Sequence, residues 1–423
     1  MRKVLSSLLP FFLFAAAALH AQSSLAEDLI RTAYAGDEAA LLAAVHKHYP
    51  NFANRAVALV HGQDLLFLAA TPKDAALSLD LLSPEPMRPL PAAGLWYKLI
   101  KSRAGLTHAW QVFAAGQPLN NRSDLPAYNP DSYPHPGVPQ GKLSEKFTIT
   151  SRIYDGMTAA YWIYASPGVD PARPSALMVW QDGETIARDN GGSTRHFTVI
   201  ENLVHQKLMP PSVHVLISPG TAPGGRAMRS VEYDTVSDRY PRFLLEEVLP
   251  AVEKLYQLRP DGYSRAIGGR SSGGICSFNA AWHFPDKFAR VHSTIGSYAS
   301  IQWRPGEKQE GGNVYPFKVR KEPKRNIRVW LSDGAGDLEN THGSWPLQNI
   351  QMANSLKLMG YDYHFRFAEA AHNSSQEAVD LPESLAWLWR GYDPAKTSAD
   401  FQQDPAEKDK PPYRVHIFNR DAW

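Results

Sequence analysis

Gly268-Gly269-Arg270-Ser271-Ser272-Gly273-Gly274 is the most distinctive local pattern in the chain. It contains Gly-x-Ser-x-Gly centred on Ser271. A strand-like run over 265–268 precedes it, and a helical run over 275–283 follows. A nucleophilic serine on a sharp strand-to-helix turn has strained backbone angles, and side chains two residues either way would collide with neighbouring elements. Such a turn also aims the Ser272 amide and a helix N-terminus at the oxyanion formed in acyl transfer. Ser272 is the rival nucleophile, but it would put the glycines at the wrong offsets. Cys276, one turn into the helix, reads as a small core residue.

Outward from this turn, apolar runs alternate with helical stretches. Strands are expected over 176–180, 213–218, 265–268, 291–294, 327–331 and 363–367, and helices over 239–257, 274–284, 346–359 and 381–390. A hairpin over 146–164 turns at Asp155-Gly156. The pattern predicts a doubly wound, mostly parallel α/β domain over 142–392. Ahead of it, residues 22–54 read as a helical segment broken at Gly36-Asp37. Residues 55–118 alternate with period two, as at Leu77, Leu79 and Leu81, and predict a small antiparallel sandwich. Residues 119–141 are dense in Pro, Asn, Asp and Gly and read as a linker, and 393–423 as an irregular tail with an apolar end that docks on the body.

The composition narrows the function. The 423 residues carry 44 Lys and Arg against 42 Asp and Glu, a net charge of +2, which makes no electrostatic case for nucleic acid. One cysteine excludes an internal disulfide framework. Arg2 and Lys3, the apolar run over 4–19 and the small Ala21 form the pattern of a secretory signal over 1–21. The mature chain is expected to be periplasmic or secreted and to make no stable membrane insertion once the signal is removed. The sequence leaves its oligomeric state open.

A serine hydroxyl needs a base within hydrogen-bond reach. In an α/β-hydrolase sheet the partners follow the serine in the order acid, then histidine. His372 lies after the run over 363–367 and before the last helix, where the base belongs. The acid comes from 332–340, where Asp337 is preferred over Asp333 and Glu339 because it lies beyond the strand end and can reach back. The Ser272 amide and the backbone around Gly183, in the loop after the run over 176–180, are the candidate oxyanion donors. Arg229, Arg270, His342 and Trp345 lie near strand ends and are candidates to face substrate. Arg229 could bind an anionic or catecholate group, or form an ion pair with Glu232. Trp345 could stack on a ring, or be a core residue. No histidine pair at helical ligand spacing and no cysteine cluster is present, so neither a metal nor another cofactor is expected.

At this point the chain resembles the enterochelin (siderophore) esterase family, within the esterase D-like superfamily that includes feruloyl and acetyl-xylan esterases. Trp180-Gln181-Asp182-Gly183 is similar to the family's strand ending in Asp-Gly. Arg229-Ser230-Val231-Glu232-Tyr233 with Glu246-Glu247-Val248-Leu249-Pro250 is similar to its Arg-x-x-Glu-Leu segment and the helix after it. The stretch 269–274 matches its nucleophile turn, and 293–298 resembles the Ser-x-Ser-Gly-Ser strand. The sandwich and the segment 124–130 resemble the immunoglobulin-like lid domain and its linker. The departures are Ala-Ala-His372-Asn373 in place of Gly-Gly-His-Asp, and Tyr298 followed by Ala299-Ser300 in place of an aromatic pair. The resemblance implies a serine esterase acting through an acyl-enzyme on a small-molecule or oligosaccharide ester, either a siderophore ester or a polysaccharide acyl ester. An acyltransferase on the same residues, or a carbohydrate-binding protein without activity, are the alternatives.

Overall fold

The runs that read as buried strands divide their side chains between two cores. In Ala176–Gln181 every residue is buried; Leu177 and Val179 enter one apolar cluster, while Met178 and Trp180 enter another. Side chains of period two pointing to both faces are what a parallel strand covered on each side requires. The structure, a computed structural model, describes residues 25–80, 82–92, 94–102, 105–188 and 194–415. The expected signal segment over 1–21 lies outside the described residues, as does the apolar end of the tail from 416 onward. Among the described residues no helix is long and apolar enough to cross a membrane.

Two units are defined by their internal contacts, residues 1–130 and 131–423. The second is built on a mostly parallel sheet. Besides a two-residue edge strand, Lys142–Leu143, its strands are β1 (Phe147–Thr150), β2 (Thr158–Ala165), β3 (Ala176–Gln181), β4 (Ser212–Ile217), β5 (Arg265–Arg270), β6 (Arg290–Thr294), β7 (Arg328–Gly336) and β8 (Asp362–Ala371). From β2 the order is β2-β4-β3-β5-β6-β7-β8, with β2 antiparallel to β4 and all later neighbours parallel. From β3 the chain goes to one side to make β4, then crosses to the other to make β5. The C-terminal ends of β3 and β5 therefore flank the crevice where the winding reverses, the usual place for a site in such a sheet.

Helices α1 (Ser272–His283), α2 (Trp345–Leu358) and α3 (Ser375–Trp389) follow β5, β7 and β8. The last begins six residues earlier than the expected 381, and Pro382 lies inside it instead of at its start. The helix expected over 239–257 ends at Val252 and contains a π turn, Leu244–Val248, just before Pro250. A proline that cannot donate to the preceding turn accounts for the irregularity. β7 and β8 run past their expected ends, to Gly336 and Ala371.

The first unit differs from its expected boundaries at both ends. Its helices, residues 25–34 and Glu38–His48, are not a separate segment: Leu29, Leu41 and Val45 pack on Leu66 and Leu68 of the strand Asp64–Ala70. The other face of that strand, Leu65 and Phe67, packs on Leu77, Val112 and Leu125 of a second antiparallel sheet. Gly36 takes φ +72° at the break and Asp37 accepts from the Ala40 amide to cap the second helix. Residues 119–141 are not all linker, since Ser123–Ala127 pairs with Leu106–Ala114. Leu125 and Ala127 turn inward at alternate positions, and Pro126 is tolerated on an edge strand. In the second unit the tail docks through Phe401, buried beside Tyr263, and through Tyr413, edge-on to Phe365 at 5.1 Å.

Candidate active site

Ser271 sits between β5 and α1 at φ 55°, ψ −121°. A non-glycine residue in this region costs about 1–3 kcal/mol and is held only where the surroundings over-determine it. Here they do. A Cβ on Gly269 or on Gly273 would come within 2.8 Å of Gln181 Cβ, so the chain leaving β3 crosses closely over the turn. The Gly274 and Ile275 amides donate to Ser271 O and start the helix. The Gly-x-Ser-x-Gly spacing thus follows from the strain at Ser271 and from the passage of Gln181.

His372 lies one residue beyond β8. Its Nε2 is 2.9 Å from Ser271 Oγ, and its Nδ1 is 2.5 Å from Asp337 Oδ1. Asp337 reaches it because β7 and β8 pair out to Gly336 and Ala371, with an irregular register between Gly334 and Gly336. Gly334 has no room for a side chain, since a Cβ there would lie 2.1 Å from Ala370 O. Burial favours the neutral acid at Asp337, but hydrogen bonds from His372 and Asp333 outweigh it and hold the carboxyl below its usual range. Asp333 is fully buried four residues earlier, on β7. Burial first, and then its hydrogen bond to Asp337, push it well above the carboxylate range, so it stands as a neutral acid donating to Asp337. Glu339 is exposed in a two-residue strand. Of the three candidate acids, Asp337 is the one that contacts His372.

On the other side of Ser271, Asp182 takes φ 55° at the end of β3 and Gly183 opens the short helix Gly183–Arg188. A Cβ on Gly183 would fall 2.1 Å from the Leu216 carbonyl carbon, so this glycine is set by close packing on β4. A Cβ on Gly273 would meet Asp182 Oδ2 at 3.4 Å, which places the 181–183 loop against the turn over 268–274. Ser272 is buried as the first residue of α1.

The four residues expected to face substrate have different fates. Arg229 does not pair with Glu232. It forms a two-pronged ion pair with Asp182, Nε–Oδ1 2.8 Å and Nη2–Oδ2 2.7 Å, and keeps 39% of its side chain exposed. Glu232 is buried instead and accepts from the Gly220 amide; burial pushes it up to about 7. Asp234 is likewise raised by burial, to about 6. Arg270 is held by Glu377 at 3.0 Å. His342 is exposed, and its carbonyl accepts from the Ser300 amide and hydroxyl. Trp345 is a core residue and presents no face to solvent. It is 2% exposed, packs edge-on to His372 at 5.7 Å, and donates from Nε1 to Ser297 Oγ at 3.2 Å. Helix α2 starts there with its first residue turned inward, which the run over 346–359 leaves undetermined.

Ser297 is the residue that sequence reasoning missed. Its Oγ is 3.1 Å from Ser271 Oγ and its amide donates to Ser271 O. The signal in the sequence is the Gly296-Ser297 pair just after β6. Cys276 is fully buried, and burial raises its thiol well above the usual range. A cavity of about 870 Å³ opens at the opposite end of the sheet, lined by Ala176, Pro211, Arg259 and Trp389, and holds none of these groups. The described residues contain no cluster of His, Cys, Asp and Glu suited to a metal ion.

Residues 161–388, more than half of the chain, match the family model described as "Putative esterase". Two curated relatives are iron(III) enterobactin esterases. That of Escherichia coli K12 is 29% identical over 175 residues, 41% of this chain and 40% of its own length. That of Dickeya dadantii is 24% identical over 249 residues, 56% of this chain and 53% of its own. The matches thus span about half the length of these relatives. Among solved structures, the enterobactin esterase of Shigella flexneri in the presence of enterobactin superposes with a TM-score of 0.54 at 18% identity. That superposition covers 81% of this chain and 98% of the other, and shows a shared fold. The chain belongs to this esterase family.

Proposed function

We propose that the protein is an exported serine esterase that hydrolyses a carboxylic ester through Ser271, His372 and Asp337. The observation that carries this reading is the continuous hydrogen-bonded line from Ser271 Oγ through both ring nitrogens of His372 to Asp337, at the switch point of the sheet. Asp337 is ionised and can only accept, so it keeps the proton on Nδ1 and leaves Nε2 as the base. Ser271 Oγ attacks the acyl carbon as its proton passes to Nε2, and the carbonyl electron pair moves onto oxygen. The Ser272 amide and the amides around Gly183 are assigned to that oxyanion. Collapse of the intermediate expels the alkoxide, which takes the proton from Nε2 and leaves the acyl-enzyme. Water then repeats the sequence, releasing the acid and restoring Ser271. Each oxyanion donor is worth roughly 10²–10³ in rate.

The names of the relatives make iron(III) enterobactin the first substrate to test, followed by feruloyl and acetylated sugars. Export rests on the segment over 1–21 and is tested by locating the mature chain after fractionation. The Ser271→Ala variant should lose at least about 10³ of the wild-type rate on short p-nitrophenyl esters and on iron(III) enterobactin. Wild type inactive on all of these esters, or an alanine variant as active as wild type, contradicts the reading. Product analysis with added sugar separates transfer from hydrolysis.

A further inference from the structure

We propose that Ser297 is a fourth catalytic group, whose hydroxyl donates a hydrogen bond to Ser271 Oγ and is aimed there by Trp345. The inference rests on Ser271 being the nucleophile. Its basis is the order of protons along one chain of contacts. The Asp337 carboxylate accepts from His372 Nδ1–H, so with a neutral ring Nε2 has only a lone pair and accepts from Ser271 O–H at 2.9 Å. Ser271 Oγ has then spent its proton and can only accept from Ser297, 3.1 Å away. At the far end, the indole Nε1–H of Trp345 is a donor and never an acceptor, so its 3.2 Å contact occupies a lone pair of Ser297 Oγ. The Ser297 proton is therefore left to point at Ser271. Every member from Trp345 to Asp337 has one consistent direction.

The surroundings fix this arrangement. Ser297 is 1% exposed and its amide donates to Ser271 O at 3.0 Å, so backbone and side chain both clasp the nucleophile. Asn349 Nδ2 holds the preceding Gly296 carbonyl at 2.9 Å. Trp345 is wedged between Ser297 and the His372 ring. A buried hydroxyl that only satisfied its neighbours would not need to meet the one oxygen that gains and loses negative charge. As Ser271 O–H passes its proton to Nε2 and forms the bond to the acyl carbon, Oγ carries more charge than in the resting state. In deacylation the Oγ–acyl bond breaks, its electron pair returns to Oγ, and Nε2–H returns the proton. A donor preorganised on Oγ strengthens in both transition states and does little for ground-state binding.

The experiment is pre-steady-state hydrolysis of p-nitrophenyl acetate by wild type, Ser297→Ala, Ser297→Thr, Trp345→Phe and the double variant Ser297→Ala/Trp345→Phe. A lost hydrogen bond to a developing charge should slow acylation about 10–100-fold in Ser297→Ala. KM should stay within about two-fold, because the loss falls on the transition state. Ser297→Thr keeps the hydroxyl and should recover most of the rate. Trp345→Phe should slow acylation by less than Ser297→Ala and have no further effect once Ser297 is alanine, which a purely structural tryptophan would not show. Wild-type acylation by Ser297→Ala, or a Trp345→Phe effect that is the same with and without Ser297, overturns the proposal while leaving Ser271 in place. Should Ser297→Ala fail to fold, Ser297→Cys replaces it. A thiol is a poorer donor, so an undiminished rate there overturns the proposal equally. Activity surviving Ser271→Ala would instead remove the reading on which the inference stands.

Discussion

Carboxylates lie on both sides of Ser271, and the fold treats the two sides in opposite ways. On the histidine side, Asp337 is kept ionised within a buried setting because His372 and the neutral Asp333 both donate to it. On the side of the β3 loop, Asp182 spends its charge on Arg229, while Glu232 and Asp234 are pushed by burial to about 7 and about 6. The difference is in the donors. A buried carboxylate stays charged only where hydrogen bonds or an opposite charge offset its lost hydration; elsewhere it takes up a proton. The fold supplies donors to the carboxylate beside His372 and few to those beneath the β3 loop.

This contrast can be broken from either side. The largest effect is expected at Asp337. Asp337→Asn leaves an amide opposite Nδ1 that can donate, favours the wrong tautomer, and should lower kcat by roughly 10³–10⁴. A variant within ten-fold of wild type in steady-state kinetics would deny Asp337 its role. Asp333 should be more forgiving. Asparagine can still accept from the Gly334 amide and donate to Asp337, so Asp333→Asn should stay within a few-fold of wild type. Asp333→Ala removes the donor and should cost about ten-fold or more. Equal rates for the two variants would contradict a protonated Asp333.

The smallest effect lies on the other side and is read as stability. Glu232 titrates near 4.5 in an unfolded chain and near 7 in the folded protein. Between those values the folded state holds the extra proton. The stability this residue allows is therefore full below pH 4.5 and is lost as pH rises through about 7. Glu232→Gln keeps an acceptor for the Gly220 amide and has no proton to lose. Its stability relative to wild type should improve by about 2–3 kcal/mol at most between pH 4.5 and 8, measured by urea unfolding. A difference that stays flat with pH would show that Glu232 is not held neutral.

The same division explains what could be read from the chain. The turn over 268–274 was legible because strain at one serine demands glycine at fixed offsets, a local rule. Asp337 and His372 were legible through order and distance from strand ends, although β7 and β8 extend further than their apolar runs. Residues whose roles depend on distant partners were not. Arg229 takes Asp182, 47 positions away, in preference to Glu232 three positions on. Trp345 faces inward because Ser297, 48 positions back, accepts its N–H. Ser123–Ala127 hides as a strand among prolines because a neighbouring strand supplies its pattern. The last helix was expected from 381, beside Pro382, but it begins six residues earlier, at Ser375, and carries that proline inside.

Whether Ser271 carries the acyl group is decided by covalent trapping. Wild type is treated with a fluorophosphonate, its residual esterase activity is followed, and the modified peptide is mapped by mass spectrometry. One label per chain is expected, on Ser271, with activity lost in step, and no label on the Ser271→Ala variant. A label on Ser272, Ser297 or any other residue that abolishes activity, or full labelling of the alanine variant, would contradict it.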